Sequence, residues 1–275
     1  MIKVSFQGEK GAFSELAAVE YWGEDVQPVP QKSFKNVFEA VRDGNSQFGI
    51  IPIENSQTGS IHQNIDLLLE FDLAVIGEII LRIHHHLMAP ESVPLESIRR
   101  VFSHPQGLQQ CSDFLESLPD VECIPMYDTA GSAAFLIENK IRDGAAIASL
   151  QASKDYGLEV LKKGVENNAQ NFTRFLIISP EQTLCPECTK TSIVFSLKDI
   201  PGALFKAISV FALRDINLLK IESRPLAQGP WRYWFYIDFE GSLKDEACNN
   251  AINHLGEISL FLKVLGSYKQ GRVVE

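Results

Sequence analysis

Val26-x-x-Val29-Pro30-x-x-Ser33 leads through a helical segment to Arg42-Asp43-Gly44, the apolar run Phe48 to Ile53 and the polar loop Glu54 to Ser60. The same order returns later. Val121-x-x-Ile124-Pro125-x-x-Asp128 leads through a helical segment to Arg142-Asp143-Gly144, the strand Ala145 to Ala148 and another polar loop. Ser33 reads as a helix N-cap, and a continuous apolar run bounded by polar loops is the pattern of a buried parallel strand. Upstream of the first copy, the strand Ile2 to Phe6 runs into Gly8-Glu9-Lys10-Gly11, and Phe13 to Trp22 has helical spacing with Leu16, Ala17 and Val19 on one side. Upstream of the second, Val101-Phe102 with Ser103-His104-Pro105 takes the place of Val4 to Gly8. Residues 1–79 and 101–158 therefore read as two related β-α-β-α-β lobes with a ligand in the cleft. Parallel sheets put ligand-contacting loops at the carboxyl ends of strands, where Gly8–Ser14, Glu54–Ser60, Ser103–Gly107 and Thr129–Ser132 fall.

Working outward, Phe172 to Ile178 reads as a strand that returns to the first lobe. Pro180 to Cys188 carries two prolines and no periodicity, so it reads as a linker. Beyond it the pattern changes. Thr191 to Leu197 is a strand and Leu204 to Leu213 an amphipathic helix. Asn217 to Arg224 alternates, and so does Trp231 to Phe239 after the turn Gly229-Pro230. Lys244 to Leu255 is helical and Ile258 to Tyr268 a last strand. That β-α-β-β-α-β order is the split arrangement of ferredoxin-like domains. The expected organisation is a two-lobed α/β domain over 1–180, with lobe a about 1–79 plus 165–180 and lobe b about 80–164. A linker follows over 181–190, and an α+β domain over 191–275. An exposed edge strand in the latter offers pairing to a second chain.

The 275 residues are 45% hydrophobic and 22% charged, near globular averages, with a net charge of −10. This balance argues against nucleic acid or an anionic membrane as a general partner, while leaving room for a small anionic ligand at a local positive site. The apolar run Leu73 to Leu81 is short and holds Glu78, so no membrane span is expected. No secretory signal is visible before Val4-Ser5-Phe6, and five scattered cysteines suit a reduced, cytoplasmic protein. His84-His85-His86 invites a metal reading, but on an extended segment adjacent side chains point to opposite faces. No carboxylate or cysteine stands at ligand spacing, so the triplet reads as structural and no metal site is expected. Cys185-x-x-Cys188 is half of a zinc ribbon without its second pair. Gly8 to Ser14 resembles a dinucleotide fingerprint only weakly, lacking its glycine spacing and acidic residue. Backbone N–H groups entering the helix after Gly11 still suit an anion.

Taken together, Gly8 to Ser14, Pro52 to Ser60, Ser103-His104-Pro105-Gln106, Asp128 to Ala134, Ala145 to Ser149 and Asn171-Phe172-Thr173-Arg174-Phe175 resemble the prephenate dehydratase family. Gly202-Ala203-Leu204 and Glu222-Ser223-Arg224-Pro225 resemble the ACT regulatory domain. The ordered set covers almost the whole chain; Gly107 stands where the family pattern has Ala. The resemblance implies a fold like that of periplasmic binding proteins for the two lobes. It also implies conversion of prephenate to phenylpyruvate without a cofactor. Thr173 is the implied catalytic residue, acting as a positioned hydrogen-bond donor to the departing hydroxyl rather than as a strong acid. Arg174, Phe175, Glu54, Asn55, Ser56, Gly11, Ser14, Ser103, His104, Thr129 and Ser132 are the implied substrate contacts, Arg174 supplying the cation. Glu54 fits poorly beside a dianion and is expected to orient its loop or Arg174. For the C-terminal domain the resemblance implies L-phenylalanine as effector. It would be held by Gly202, Ala203, Leu204, Asn217, Leu218, Glu222, Ser223, Arg224 and Pro225, with a homodimer or dimer of dimers completing the pocket. Arogenate dehydratase and a non-catalytic amino-acid sensor are the competing readings.

Overall fold

The computed structural model describes residues 1–182, 187–225 and 233–275. Cys185, the Gly229-Pro230 turn and the start of the strand expected from Trp231 lie outside them. The first lobe begins β1 (Ile2–Gln7), α1 (Phe13–Trp22), β2 (Val26–Gln31), α2 (Phe34–Arg42), β3 (Phe48–Asn55), β4 (Gly59–Ser60), α3 (His62–Glu70) and β5 (Ala74–Arg82). The second is β6 (His86–Pro90), β7 (Arg100–Ser103), α4 (Pro105–Gln110), α5 (Ser112–Glu116), β8 (Glu122–Pro125), α6 (Thr129–Glu138), β9 (Gly144–Ala148), α7 (Leu150–Tyr156) and β10 (Leu158–Lys163). β11 (Phe172–Ser179) re-enters the first sheet, giving the order β16-β5-β11-β3-β1-β2 with β4 on β3, where β16 is Val273–Val274. The second sheet runs β10-β6-β9-β7-β8.

The repeat in the sequence is a repeat in topology. β1 lies between β2 and β3 with both pairings parallel, and β7 lies between β8 and β9 in the same way. Ser33 caps α2 by accepting from the Asn36 N–H, and Asp128 caps α6 by accepting from the Gly131 N–H. Ile50, Ile51 and Ile53 on β3, like Ala145 to Ala148 on β9, are fully buried, as strands covered on both faces require.

Five strands were not read from the sequence: β4, β5, β6, β10 and β16. β6 and β10 form an antiparallel pair on the edge of the second sheet. β6 is buried along its whole length and lacks the alternation that marks a half-exposed strand. The short β16 adds to the first sheet beside Ile80 and Leu81.

The C-terminal elements are β12 (Lys190–Leu197), α8 (Ala203–Ala212), β13 (Leu218–Pro225), β14 (Tyr233–Glu240), α9 (Glu246–Ile258) and β15 (Ser259–Tyr268). Their antiparallel sheet runs β13-β14-β12-β15, the ferredoxin-like order expected. Ile193, Phe195, Phe211, Ile237, Phe239 and Leu255 fill the layer between sheet and helices, each fully buried aromatic or branched side chain contributing about 1.5–3 kcal/mol.

By packing, the chain forms two units that do not follow the 1–180 and 191–275 partition. One holds 1–64, 79–175 and 273–275, the other 65–78 and 176–272. In the second unit, Lys190 Nζ lies 3.1 and 3.0 Å from the two carboxylate oxygens of Glu78, both side chains being buried, and Glu78 Oε1 also accepts from the Gly271 N–H at 3.0 Å.

Candidate active site

Within the first unit, a cleft of about 700 Å³ opens between the two lobes, the size range of small-molecule sites. One wall comes from the carboxyl ends of β1, β2 and β3 and the start of β11, the other from the loops before α4 and α6. The ends of β1 and β3 and the loops before α4 and α6 are those the repeat singled out; the end of β2 and the start of β11 are not among them. α1 begins without a side-chain cap, and Ala12, Phe13 and Ser14 line the cleft. The first-turn N–H groups of a helix have no intrahelical partner, which suits them to an anion.

Asn55 sits at the end of β3 and organises the floor. Its Oδ1 accepts from the backbone N–H groups of Gln57 (3.0 Å) and Thr58 (3.1 Å), donors that fix which way the amide points. Its Nδ2 therefore faces three acceptors: Asn171 Oδ1 at 2.7 Å, Thr173 Oγ1 at 3.0 Å and the Phe172 carbonyl at 3.1 Å. Because the amide donates to Thr173 Oγ1, the hydroxyl's own proton is directed elsewhere. Thr173 lines the cleft while being 8% exposed.

The polarity set at Asn55 continues into the second lobe. With Oδ1 of Asn171 occupied, its Nδ2 donates to Gln110 Oε1 at 3.0 Å, and the same Oε1 lies 3.0 Å from His85 Nε2. Gln110 must accept there, so His85 carries its proton on Nε2 and leaves Nδ1 bare. Nδ1 of His85 is buried without a hydrogen-bond partner among the described residues, and burial pushes the imidazole pKa down, favouring the neutral ring. Phe13 meets that ring edge-on at 5.4 Å. His104 also lines the cleft. Its Nδ1 accepts from the Gln106 N–H at 3.2 Å, which leaves the Nε2 proton outward, and burial likewise lowers its pKa. Asp128 caps α6 from the cleft wall, with its carboxyl pKa raised by burial. The neighbouring Tyr127 hydroxyl donates to Glu9.

Of the residues expected here, Thr173, Phe175, Asn55, Ser14, His104 and Thr129 line the cleft; Arg174, Glu54, Ser56, Gly11, Ser103 and Ser132 do not. Arg174 stands between Thr173 and Phe175 on β11, so pleat alternation turns it to the other face of the sheet, where it is buried. The expected cation is thus not in the cleft. Glu54 belongs to the β3–β4 pairing opposite Ser60. Ser56 Oγ ties the strand ends together through the Gln170 carbonyl and the Phe172 N–H. Ser103 Oγ donates to the Ile147 carbonyl at 2.7 Å, and Ser132 Oγ to the Asp128 carbonyl at 2.8 Å, both fully buried. A Cβ on Gly107 would stand 2.6 Å from Ser103 Oγ, which explains glycine there. Gly11 holds φ +86° and lets the lobes meet: its carbonyl accepts from Ser149 Oγ at 2.5 Å, and a Cβ would lie 2.7 Å from Ala152 Cα. Sequence reading missed His85, Gln110, Tyr127 and Lys32 as cleft residues. His85 had a signal in the His84-His85-His86 triplet, and the alternation argument correctly separates it from its neighbours.

The model of the prephenate dehydratase family matches residues 4–183. The chain belongs to this family. An ACT domain follows over residues 191–253. The Arabidopsis thaliana protein named arogenate dehydratase/prephenate dehydratase 2, chloroplastic, is 46% identical over 97% of this chain and 72% of its own length. The structure of prephenate dehydratase in complex with L-Phe from Arthrobacter aurescens is 33% identical, with a TM-score of 0.90 over 98% of this chain and 90% of that one. A structure described as GqqA, a novel type of quorum quenching acylase, is 30% identical with a TM-score of 0.88, covering 98% of both chains. Among the described residues no helix is long and apolar enough to cross a membrane.

In the ACT domain a smaller hollow of about 170 Å³ is lined by Ile200, Ala203, Leu204, Tyr233 and Phe235 among others. Gly202 caps α8 at φ +77°. Gly202, Asn217, Leu218 and Glu222 to Pro225 are not among its described lining residues. Arg224 instead donates to Asp66, and Glu222 pairs with Lys220 at 3.2 Å.

Proposed function

We propose that this protein is a prephenate dehydratase, converting prephenate to phenylpyruvate with loss of carbon dioxide and water. The ring carboxylate leaves as carbon dioxide, its bonding electrons pass through the ring, and the C4–O bond breaks. One proton turns the departing hydroxide into water. Aromatisation drives the reaction, and the remaining demand is stabilisation of charge on the leaving oxygen. The observation that carries this reading is the Asn55–Thr173 contact: an amide of fixed orientation donates to Oγ1, so the hydroxyl proton is left for an acceptor in the cleft. One such preorganised donor contributes about 10²–10³ in rate, or roughly 3–4 kcal/mol. Oriented N–H groups at the start of α1 and the His104 Nε2–H suit the carboxylates of a dianion. Neutral His85 and His104 add no competing charge.

Loss of prephenate turnover by about 10² or more in a folded Thr173→Ala variant, measured as phenylpyruvate release, is the expected result. Turnover of neither prephenate nor arogenate by the wild-type protein refutes the proposal.

L-Phenylalanine is the proposed effector of the ACT domain. The Arthrobacter relative carries it, and the α8 hollow combines an apolar lining with a helix N-terminus for a carboxylate. Calorimetry with Gly202→Val as the control tests this. A homodimer or dimer of dimers and a cytoplasmic location belong to the same proposal. The exposed Leu219 and Ile221 on the edge strand β13 favour self-association, which sedimentation tests.

A further inference from the structure

Among the described residues lining the cleft, the side chains charged at neutral pH are Lys32 and Asp128. Asp128 is committed to capping α6 through the Gly131 N–H at 2.7 Å. Arg174 is buried on the far side of its strand. Lys32 is therefore the one cation the described lining offers, and it has no hydrogen bond or ion pair to any described residue. It is exposed, and it sits between the end of β2 and Ser33, the cap of α2; Ser33 and Phe34 also line the cleft.

Its place in the sheet gives it a definite share of the substrate. Thr173 is on β11, and the order β11-β3-β1-β2 puts Lys32 three strands away, about 14 Å of strand spacing. On the dehydratase reading, on which this inference rests, the C4 hydroxyl lies at Thr173. A substrate lying along the cleft in the direction of β1 and β2 would bring its ring carboxylate and three-carbon side chain within reach of Lys32. Prephenate and arogenate differ only at that end. Prephenate ends in a keto acid and is a dianion; arogenate carries an ammonium beside its carboxylate, so its side chain is neutral overall.

We propose that Lys32 is a specificity-determining residue, whose ammonium binds the side-chain end of the substrate and favours the keto acid over the amino acid. An ammonium facing two carboxylates gains attraction from both. Facing arogenate, it meets the substrate's own ammonium and loses part of that gain. Lys32 stands at a solvated rim, so the effect is modest, at the low end for a hydrogen bond between charged groups and about tenfold in kcat/KM.

The test uses the full-length protein with prephenate and arogenate side by side. Lys32→Met is expected to raise KM for prephenate about tenfold, with kcat within about twofold, as loss of uniform binding requires. Arogenate kcat/KM should change by less than about threefold, so the preference for prephenate shrinks; Lys32→Arg should keep it and Lys32→Glu should lower it further. Equal effects on both substrates, or an unchanged KM for prephenate in Lys32→Met, overturn the assignment while leaving an active dehydratase. A wild-type protein active on neither substrate removes the reading and this inference with it. Matching thermal midpoints for wild type and variants exclude a folding defect, which an exposed lysine with no described partner gives no reason to expect.

Discussion

Asn55→Asp keeps the size and the Oδ1 acceptor of the side chain but turns its donor into a second acceptor. The backbone N–H groups of Gln57 and Thr58 still hold one oxygen of the new carboxylate. The other oxygen then faces Asn171 Oδ1, the Phe172 carbonyl and Thr173 Oγ1, all within 3.1 Å of the present nitrogen. Asn171 relieves its clash by turning its amide over, which requires Gln110 to turn with it and His85 to carry its proton on Nδ1. The Phe172 carbonyl has no such freedom, so stability should fall by about 1–3 kcal/mol. Thr173 responds by donating its proton to the carboxylate, which removes it from the substrate. The expected loss in kcat is that of one preorganised donor, about 10²–10³. The decisive measurement is a double-mutant cycle with Thr173→Ala, read as phenylpyruvate release at saturating prephenate. If Asn55 works through Thr173, the double variant is no slower than Thr173→Ala alone. Losses that multiply, or an Asn55→Asp enzyme within tenfold of wild type, would refute the reasoning.

Gly11→Ala should destabilise far more than Gly44→Ala. Both glycines have positive φ, costing about 1–2 kcal/mol for a side chain. At Gly11 the Cβ also meets Ala152 Cα at 2.7 Å, whereas at Gly44 no atom of the described residues lies within 4 Å; the clash adds about 1–3 kcal/mol, and equal urea midpoints would contradict it. Glu78→Gln should cost about 3–5 kcal/mol by leaving the Lys190 ammonium buried and uncompensated, while Glu78→Leu combined with Lys190→Met should recover most of that in chemical denaturation. Burial lowers the pKa of His85, His86 and His104 in the folded protein. The unfolded chain then binds protons first on acidification, so the stability these rings contribute is full above about pH 6.5 and declines below it, by up to about 1.4 kcal/mol per pH unit for each histidine. Between pH 7 and 5.5, His85→Gln should lose less stability than wild type; an equal or greater loss contradicts the burial argument.

The lobes were legible because their signals are local. A cap such as Ser33 or Asp128 acts within three residues, and an apolar run such as Phe48 to Ile53 declares its own burial. Two copies of one pattern then imply two copies of one strand order. The antiparallel pair β6–β10 escaped because β6 is buried on both faces, so period-two contrast is missing and its partner lies about seventy residues away. Period two allows only one of Thr173 and Arg174 to face the cleft. Which one faces it depends on how β11 is seated between β5 and β3, and no local signal carries that.

The sequence by itself determined the repeat, the caps, the domain types and the ordered motifs that include Asn55 and Thr173, since propensity and periodicity act over a turn or a strand. The tertiary structure alone decided that Asn55 meets Asn171 and Thr173 across more than a hundred residues, that Gln110 fixes the His85 tautomer, and that Lys32 rather than Arg174 is the cation among the described cleft-lining residues. Those contacts follow from sheet order and strand seating, which depend on the packing of the whole domain rather than on any single segment.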